Sequence, residues 1–346
     1  MLDRLLLFIT AGCLGTLLMK MHIPIPYMLG GMTVAILYKT FARERAVNWP
    51  RRWRDFGLMV AGYGIGVNFN TDAWNNFLDE LLGVTEATAI ALGVSIIIAI
   101  VTSKVTREDL RSCIIGMLPG GMTMSLLMAE EDKSINPNVV VVMQVIRLFG
   151  VIISVPFLTV WLLDAKVLQS PLAMVTHAGY HWAIFIPLTI LGSFIATKLH
   201  LPTPVLLGSV LATATFNIFV GSVQPVPSLL MAPAQLSIGL FMGMILDAKR
   251  IAQTKNVLPF VIGGTALLVV ISIGVAHVLA DRYGFSLVTA FLAMAPGGIA
   301  EMALAGLSMG EDVATILAYQ LVRLLAINLL VPPAVNMFFK NKTAIK

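Results

Sequence analysis

Long apolar stretches that are almost free of charge limit what this chain can fold into more than any other feature. The windows Leu81–Ser103, Val139–Leu163 and Val257–Ala280 each contain at most one Asp, Glu, Lys or Arg. A helix of that length crosses roughly 30 Å of hydrocarbon and satisfies its own backbone hydrogen bonds there. Charged residues make up only 12% of the 346 residues, about half the fraction typical of soluble domains. We therefore expect an all-α, multi-pass protein of an inner (plasma) membrane.

The sequence repeats itself once, at an offset of about 177 residues. The clearest match is between Pro119-Gly120-Gly121 and Pro296-Gly297-Gly298. Agreement along the whole chain predicts two structural repeats, residues 1–165 and 178–340, with six apolar segments in each. The other matched stretches are Ile23–Gly30 with Leu201–Gly208, Gly62 and Gly66 with Gly239 and Gly243, and Gln144 and Arg147 with Gln320 and Arg323.

The placement of lysine and arginine predicts the orientation of the spans, since cytoplasmic loops are rich in these residues. The loop 43–54 of the first half holds five arginines, whereas the equivalent loop of the second half, Gly221–Ser228, holds no charged residue. The next loops show the opposite trend, because Asn70–Glu80 is acidic and Asp247–Lys255 is basic. The two halves therefore look inverted, which is typical of secondary transporters.

The number of spans depends on the two segments that contain Pro-Gly-Gly. Six full crossings in each half would make the halves parallel, whereas a re-entrant segment leaves five crossings and an inverted pair. We therefore expect about ten transmembrane helices plus two broken or re-entrant segments, with the N-terminus in the cytoplasm. A missed span in the linker between the repeats is the alternative.

The Pro-Gly-Gly stretches are the first candidate site. Proline removes a helix donor and two glycines make continued helix costly, so the backbone should unwind at Pro119-Gly120-Gly121 and at Pro296-Gly297-Gly298. Unwound backbone at membrane depth is tolerated where it is buried in protein or lines a wet cavity. The half-helix ends would then point their dipoles at one place, which suits an ion or a small anion. A kink that lets helices pack closely is the structural alternative.

Glu301 follows the second Pro-Gly-Gly by three residues, and its counterpart in the first half is Met124. A carboxylate within a membrane is costly and is a functional candidate by default. It could bind a cation or carry a proton. The alternative is a structural ion pair with Arg323 or Arg147.

The last helix of each half carries a matched glutamine and arginine at i, i+3 spacing, which places both side chains on one face. Arginine could clamp a carboxylate or phosphate substrate, or it could hydrogen-bond the unwound carbonyl groups as a brace. Both roles remain open. The expected substrate- or ion-binding residues are Pro119, Gly120, Gly121, Gln144, Arg147, Pro296, Gly297, Gly298, Glu301, Gln320 and Arg323.

No metal site or cofactor is expected. His177 and His181 are spaced i, i+4, but they lie in the linker with no carboxylate or thiolate nearby in the sequence, so an interfacial position without metal is favoured. Cys13 and Cys113 have no C-x-x-C spacing and do not indicate redox chemistry.

The stretches Leu118–Met122 and Ala295–Met302 are each followed by a Gln-x-x-Arg helix that ends in proline. In these motifs, and over nearly its whole length, the chain resembles the bacterial membrane AbrB family. In its repeat plan it is also similar to the cation:proton antiporter and anion transporter group, whose inverted repeats contain discontinuous helices. That likeness implies a transporter-like body and identifies no substrate. The family carries two labels, an ammonia monooxygenase and a regulator of gene expression.

Neither label has support in the residues. Copper or di-iron oxidation needs clustered ligands and the five histidines are scattered, so we do not expect an enzyme. No helix-turn-helix or extended basic domain indicates nucleic-acid binding. We expect a secondary transporter of a small solute, such as an organic anion, coupled to H⁺ or Na⁺. The alternative is a membrane-embedded regulator that acts through a transported signal or through a partner protein held by the basic loop 43–54. A homodimer is compatible with either function.

Overall fold

The computed structural model describes residues 2–42, 47, 49–69, 71–120, 125, 128–129, 132, 134–167, 182–221, 226, 228–246 and 248–343. These residues form fourteen helices and no strand, which confirms the all-α class. The first seven helices are α1 Leu2–Lys20, α2 Pro26–Ala42, α3 Arg51–Gly66, α4 Thr71–Thr106, α5 Leu110–Met117, α6 Pro137–Trp161 and α7 Trp182–Lys198. The others are α8 Pro204–Phe219, α9 Ser228–Ile245, α10 Ala248–Gln253, α11 Leu258–Tyr283, α12 Leu287–Met294, α13 Ile299–Met309 and α14 Val313–Thr343.

Several helices have the length and composition of membrane spans. Among the described residues, five stretches are long and apolar enough to cross a bilayer. Shorter apolar helices, among them α7, α8 and α13, accompany them. The five long stretches are Asp79–Thr106, Pro137–Trp161, Leu229–Gln253, Leu258–Tyr283 and Val313–Val335.

The predicted loop Asn70–Glu80 is wrong for residues 71–80, because α4 begins at Thr71 and runs without a break to Thr106. Neither glycine nor proline occurs between Thr71 and Leu82, and leucine, alanine and glutamate there favour a helix. The acidic side chains at the end of this stretch therefore lie on a continuous helix that leads into the apolar segment.

The chain forms two compact units, and each draws on both halves of the sequence. The first unit contains residues 1–79, 153–247 and 300–316. In it α2 packs against α9, and α3 packs against α8. Helix α1 packs against α2, and α7 packs against α8. The α2–α9 contact corresponds to the α8–α3 contact, and the α1–α2 contact corresponds to the α7–α8 contact. The repeat boundaries 1–165 and 178–340 stay a prediction, since a compact unit is not a repeat.

The matched glycines make the two main helix crossings of the first unit. A Cβ at Gly62 would lie 2.7 Å from the carbonyl oxygen of Leu206, and a Cβ at Gly239 would collide with the carbonyl oxygen of Met28. Leu206 and Met28 occupy matching positions of the two halves. Both crossings are therefore made by small residues, and their backbone-to-backbone approach leaves no room for a side chain.

The second unit contains residues 80–152, 248–299 and 317–346. Its core joins α4, α5, α6 and α11 through buried apolar side chains. Glycine again allows close contact, since a Cβ at Gly116 would lie 2.9 Å from Met143. This core fixes the short helix α5, which carries the first candidate break at its C-terminal end. The buried members of the core are Ile98, Ala99, Cys113, Met117, Val139, Met143, Val257, Val261 and Leu268.

Candidate functional site

Both predicted helix breaks lie in the second unit, each at the C-terminal end of an eight-residue helix. Helix α5 ends at Met117 and Leu118 is extended; helix α12 ends at Met294 and Ala295 is extended in the same way. The backbone then turns identically, because Gly120 N–H donates to Leu118 O and Gly297 N–H to Ala295 O, both over 2.8 Å. Pro119 and Pro296 occupy the middle of these turns, while Gly121 lies outside the described residues.

The second break is held by the glutamine and arginine of α14. Gln320 Nε2 donates to the carbonyl oxygens of Leu292 at 2.8 Å and Ala295 at 3.0 Å. Arg323 donates from Nη1 to Met294 O at 3.0 Å and from Nη2 to Gly297 O at 3.3 Å. Arg323 Nη2 also donates to Gln320 Oε1. The two side chains therefore act as one assembly around the end of α12.

The first break is held in the same manner by α6, but with fewer bonds. Gln144 Nε2 donates to Ile115 O at 3.1 Å and to Ser125 Oγ at 2.6 Å, and Arg147 Nη1 donates to Met117 O at 3.3 Å. Gln144 Oε1 and Arg147 Nε have no hydrogen-bond partner among the described residues. At the first break, one acceptor (Gln144 Oε1) and one donor (Arg147 Nε) are therefore unsatisfied by the described residues.

These contacts show what the buried arginines do for the backbone. The last carbonyl groups of a helix lack intrahelical donors and carry the negative end of the helix dipole. A guanidinium supplies both several N–H groups and a positive charge. Arg147 and Arg323 are each 4% exposed and end α5 and α12 within the protein, so the bracing role predicted as one of two alternatives is present.

Glu301 lies in the first turn of α13, the helix that begins directly after the second break. Its side chain is 2% exposed. It forms no ion pair with a described residue. A carboxylate suits the N-terminal turn of a helix, where the dipole is positive.

A small pocket adjoins the first break, with all its described lining residues in the second unit. Two polar side chains, Ser125 and Asn328, face it, and Gly120 forms part of its wall. The rest of the wall is mainly apolar, and the pocket has room for about one water molecule. Its other lining residues are Ile115, Leu118, Met128, Ile327, Val331 and Pro332.

Comparison with known proteins decides the family. A family model described as "Transition state regulatory protein AbrB" matches residues 5–339 of this chain. The chain belongs to the AbrB family. The protein YhjN of Bacillus subtilis (strain 168), whose function is uncharacterized, is 24% identical over 342 residues, which cover 92% of this chain and 88% of YhjN. A protein of Escherichia coli (strain K12) provisionally named regulator AbrB is 26% identical over 228 residues, 65% of each chain.

Two polar residues of this AbrB-family chain near the first break were missed by sequence reasoning. Asn328 is a polar residue in the apolar run of α14. A polar side chain inside such a run is a signal that could have singled it out. Ser125 carries no comparable signal, because its importance comes from the hydrogen bond of Gln144.

Two other buried polar residues of the second unit were also missed. Glu80 is 5% exposed, and Tyr319, directly before Gln320, is buried as well. The acidic composition of Asn70–Glu80 predicts a loop, whereas Glu80 lies on α4.

Metal binding has no support among the described residues, which contain no group of three or more His, Cys, Asp and Glu side chains that could hold an ion. His177 and His181 lie outside the described residues. That the chain is not an enzyme stays a prediction.

Proposed function

We propose that this AbrB-family protein is a secondary transporter that moves a small solute, such as an organic anion, across a bacterial inner membrane. The observation that carries the proposal is the pair of interrupted helices in one compact unit, each ended inside the protein by a buried Gln and Arg. Discontinuous helices of this kind form the binding sites of many secondary transporters.

We also propose inverted repeats with about ten spans and a cytoplasmic N-terminus. The Lys and Arg bias of the loops favours that arrangement. So does the equivalence of the two crossings made by Gly62 on α8 and Gly239 on α2, since each pairs a helix of one half with a helix of the other.

Glu301 is the proposed coupling group for H⁺ or Na⁺. It is a buried carboxylate in the first turn of a helix that begins at an interrupted backbone. A cation or a proton would neutralise it at low cost, because a buried carboxylate without an ion-pair partner is unfavourable. The second half would thus carry the coupling group, and the first half, with Met124 in its place, would not.

The test is flux into liposomes that contain the purified full-length chain. A panel of small organic anions is presented outside, with an imposed pH or Na⁺ gradient, and uptake is measured by mass spectrometry against protein-free liposomes. We expect gradient-driven uptake of at least one anion. Absence of flux for every anion, in liposomes where the protein is shown to be folded and inserted, would overturn the proposal.

The name of the Escherichia coli relative favours a second candidate, a membrane-embedded regulator that acts through a partner protein. This candidate predicts a stable partner, and the basic loop 43–54 is the segment proposed to hold it. Affinity purification from the native membrane, with the wild type beside a variant in which the five loop arginines are replaced by glutamine, distinguishes the two functions. A transporter retains its flux without that partner.

A further inference from the structure

Helices α4 and α11 of the second unit pack against each other and run in opposite directions. In the first part of α4, Glu86 pairs with Arg282 near the end of α11 over 2.8 Å. Farther along α4, a Cβ at Gly264 would lie 2.5 Å from Cγ2 of Ile98. The residue number thus rises along α4 while it falls along α11. The end of α4 and the start of α11 therefore lie at the same end of the pair.

Three exposed cations lie at that end. Lys104 is in the last turn of α4, Arg107 directly follows the helix, and Lys255 precedes α11 by three residues. Lys104 lies six residues beyond Ile98, about 9 Å along the helix, and α11 begins six residues before Gly264, so the cations lie at a similar level. None of the three forms an ion pair with a described residue.

The carboxylates at this end are largely engaged within the protein. Asp109 accepts hydrogen bonds from the backbone N–H groups of Arg111 and Ser112, and Asp132 pairs with Arg111. Among the residues that the structure describes here, Glu108 is the one further carboxylate. The surface therefore has an excess of exposed positive charge.

The matched positions of the second half differ in charge. At the repeat offset of about 177 residues, Lys104 corresponds to Asp281 and Arg107 to Gly284. Arg107 and Gly284 are both left-handed, with φ of 62° and 74°, and each makes the same backbone hydrogen bond to the end of its helix. Glycine is the usual residue in that conformation. Because Lys104 already supplies a cation to the last turn of α4, the arginine indicates a partner outside the helix.

An exposed apolar face adjoins the cations. Ile97, Val101 and Val105 are exposed on α4 and share one face, because they are spaced by four residues. Ile262 is exposed in the first turns of α11. Of the five candidate membrane spans, those of α4 and α11 are the least buried within the protein. An apolar face that ends in cations matches a phospholipid, whose acyl chains and phosphate group require these two environments.

We propose that this end of the second unit binds an anionic phospholipid. The phosphate group contacts Lys104, Arg107 and Lys255, and the acyl chains lie on the exposed apolar side chains of α4 and α11. Arginine and lysine are the side chains that bind phosphate groups most strongly, and basic residues at the end of a span favour anionic headgroups. The lipid site does not depend on the proposed transport.

The test compares the binding of two lipids to the full-length chain in a neutral detergent. Native mass spectrometry counts bound phosphatidylglycerol and phosphatidylcholine, which have identical acyl chains here and of which only the first has a net charge. We expect phosphatidylglycerol to bind at least about tenfold more tightly. The preference should shrink when ammonium acetate is raised from about 0.1 to about 0.5 M, because salt screens exposed charges. Equal affinity for the two lipids overturns the proposal.

A matched pair of triple variants locates the site. Replacing Lys104, Arg107 and Lys255 together by glutamine should abolish the preference for phosphatidylglycerol. The control variant removes the same charge from three exposed lysines of the first unit, namely Lys20, Lys166 and Lys198. It should retain the preference. Retention in the first variant, or equal loss in both, overturns the site.

Arg107→Gly separates lipid binding from stability. Glycine is favoured in the left-handed conformation, so the melting temperature in lipid-free detergent should be unchanged or higher. The affinity for phosphatidylglycerol should nevertheless fall at least about threefold. A lower melting temperature with unchanged lipid affinity would show that Arg107 serves the helix end alone, and would overturn its part in the site.

Two further measurements distinguish a lipid from other occupants. Glycerol phosphate has the charged group without acyl chains and should not displace phosphatidylglycerol. Displacement at the concentration at which the lipid binds would indicate a site for a soluble anion and overturn the proposal. A protein that co-purifies with the wild type and not with the first triple variant, together with no preference between the lipids, would assign the surface to a protein partner instead.

Discussion

Arg323 donates a hydrogen bond from Nη1 to the carbonyl oxygen of Met294 over 3.0 Å, and Met294 is the last residue of α12. Arg147 makes the equivalent bond to Met117, the last residue of α5. The end of each interrupted helix therefore meets a buried cation where the helix dipole is negative. A helix can stop inside an apolar protein only if its last carbonyl groups find donors.

Arg323→Lys tests this arrangement. Lysine keeps the charge but replaces the planar fork of donors by a single ammonium group, so it cannot serve Met294 O, Gly297 O and Gln320 Oε1 together. We expect destabilisation on the order of 2 kcal/mol, measured as a lower melting temperature in detergent. Arg282→Lys is the control, because Arg282 is 44% exposed and pairs with Glu86, and such surface pairs contribute little. Equal shifts for both variants would contradict the bracing role.

Gly239→Ala should disrupt the crossing of α9 and α2, since the added Cβ would collide with the backbone at Met28. Backbone cannot move aside as a flexible side chain can, so we expect a loss of several kcal/mol, on the order of an overpacked core. Gly263→Ala is the matched control in α11, where the added Cβ would meet nothing within 4 Å. Alanine there should be neutral or stabilising by about 1 kcal/mol, because it favours the helix. Melting curves of both variants check the contrast.

The sequence predicted what depends on local chemistry. The breaks follow from proline and glycine, whose effects on a helix do not depend on distant residues. The role of Arg147 could not be chosen between brace and substrate contact, because a guanidinium fits carbonyl and carboxylate oxygens equally well. Its partner, Met117 O, lies 30 residues away in the chain.

The pocket could not be predicted either. It combines Ser125 with Asn328, which no sequence spacing relates. The acidic composition of Asn70–Glu80 predicts a loop there, whereas α4 begins at Thr71. Thr71–Leu82 contains neither glycine nor proline. Composition gave the polarity of that stretch correctly and its backbone conformation incorrectly.

Asp132 gives the fold a pH dependence outside the candidate membrane spans. Its pKa is lowered, chiefly because its carboxylate accepts a hydrogen bond from the backbone N–H of Ser134; the Ser134 hydroxyl group and Arg111 lower it further. A carboxyl group whose pKa is lower in the folded than in the unfolded state stabilises the fold above its unfolded pKa. That stabilisation is lost as the pH falls from the ordinary value of 3.8 through the lower folded pKa.

Asp132→Asn should therefore lower the melting temperature at pH 6 and have a smaller effect near pH 3, where the wild-type carboxyl group becomes protonated as well. Asp281→Asn is the control, because Asp281 is exposed near the end of α11. Melting curves between pH 3 and pH 7 give the comparison. A difference between Asp132→Asn and wild type that stays constant over this range would show that Asp132 does not titrate with folding.

Glu301→Gln should uncouple solute movement from the ion gradient. Glutamine nearly preserves the volume and the hydrogen-bonding ability of the buried side chain, so α13 should still form, but it can neither release a proton nor hold a cation by charge. We expect uptake driven by a pH or Na⁺ gradient to fall at least about tenfold, the consequence of losing roughly 1.4 kcal/mol of coupling. Exchange of solute between equal concentrations, which needs no gradient, should continue. Glu311→Gln, a change beyond the C-terminal end of the same helix, is the control and should leave the gradient dependence intact. If Glu301→Gln abolished exchange and gradient-driven uptake together while the protein stayed folded, Glu301 would belong to solute binding, and the coupling group would have to be sought elsewhere in the chain.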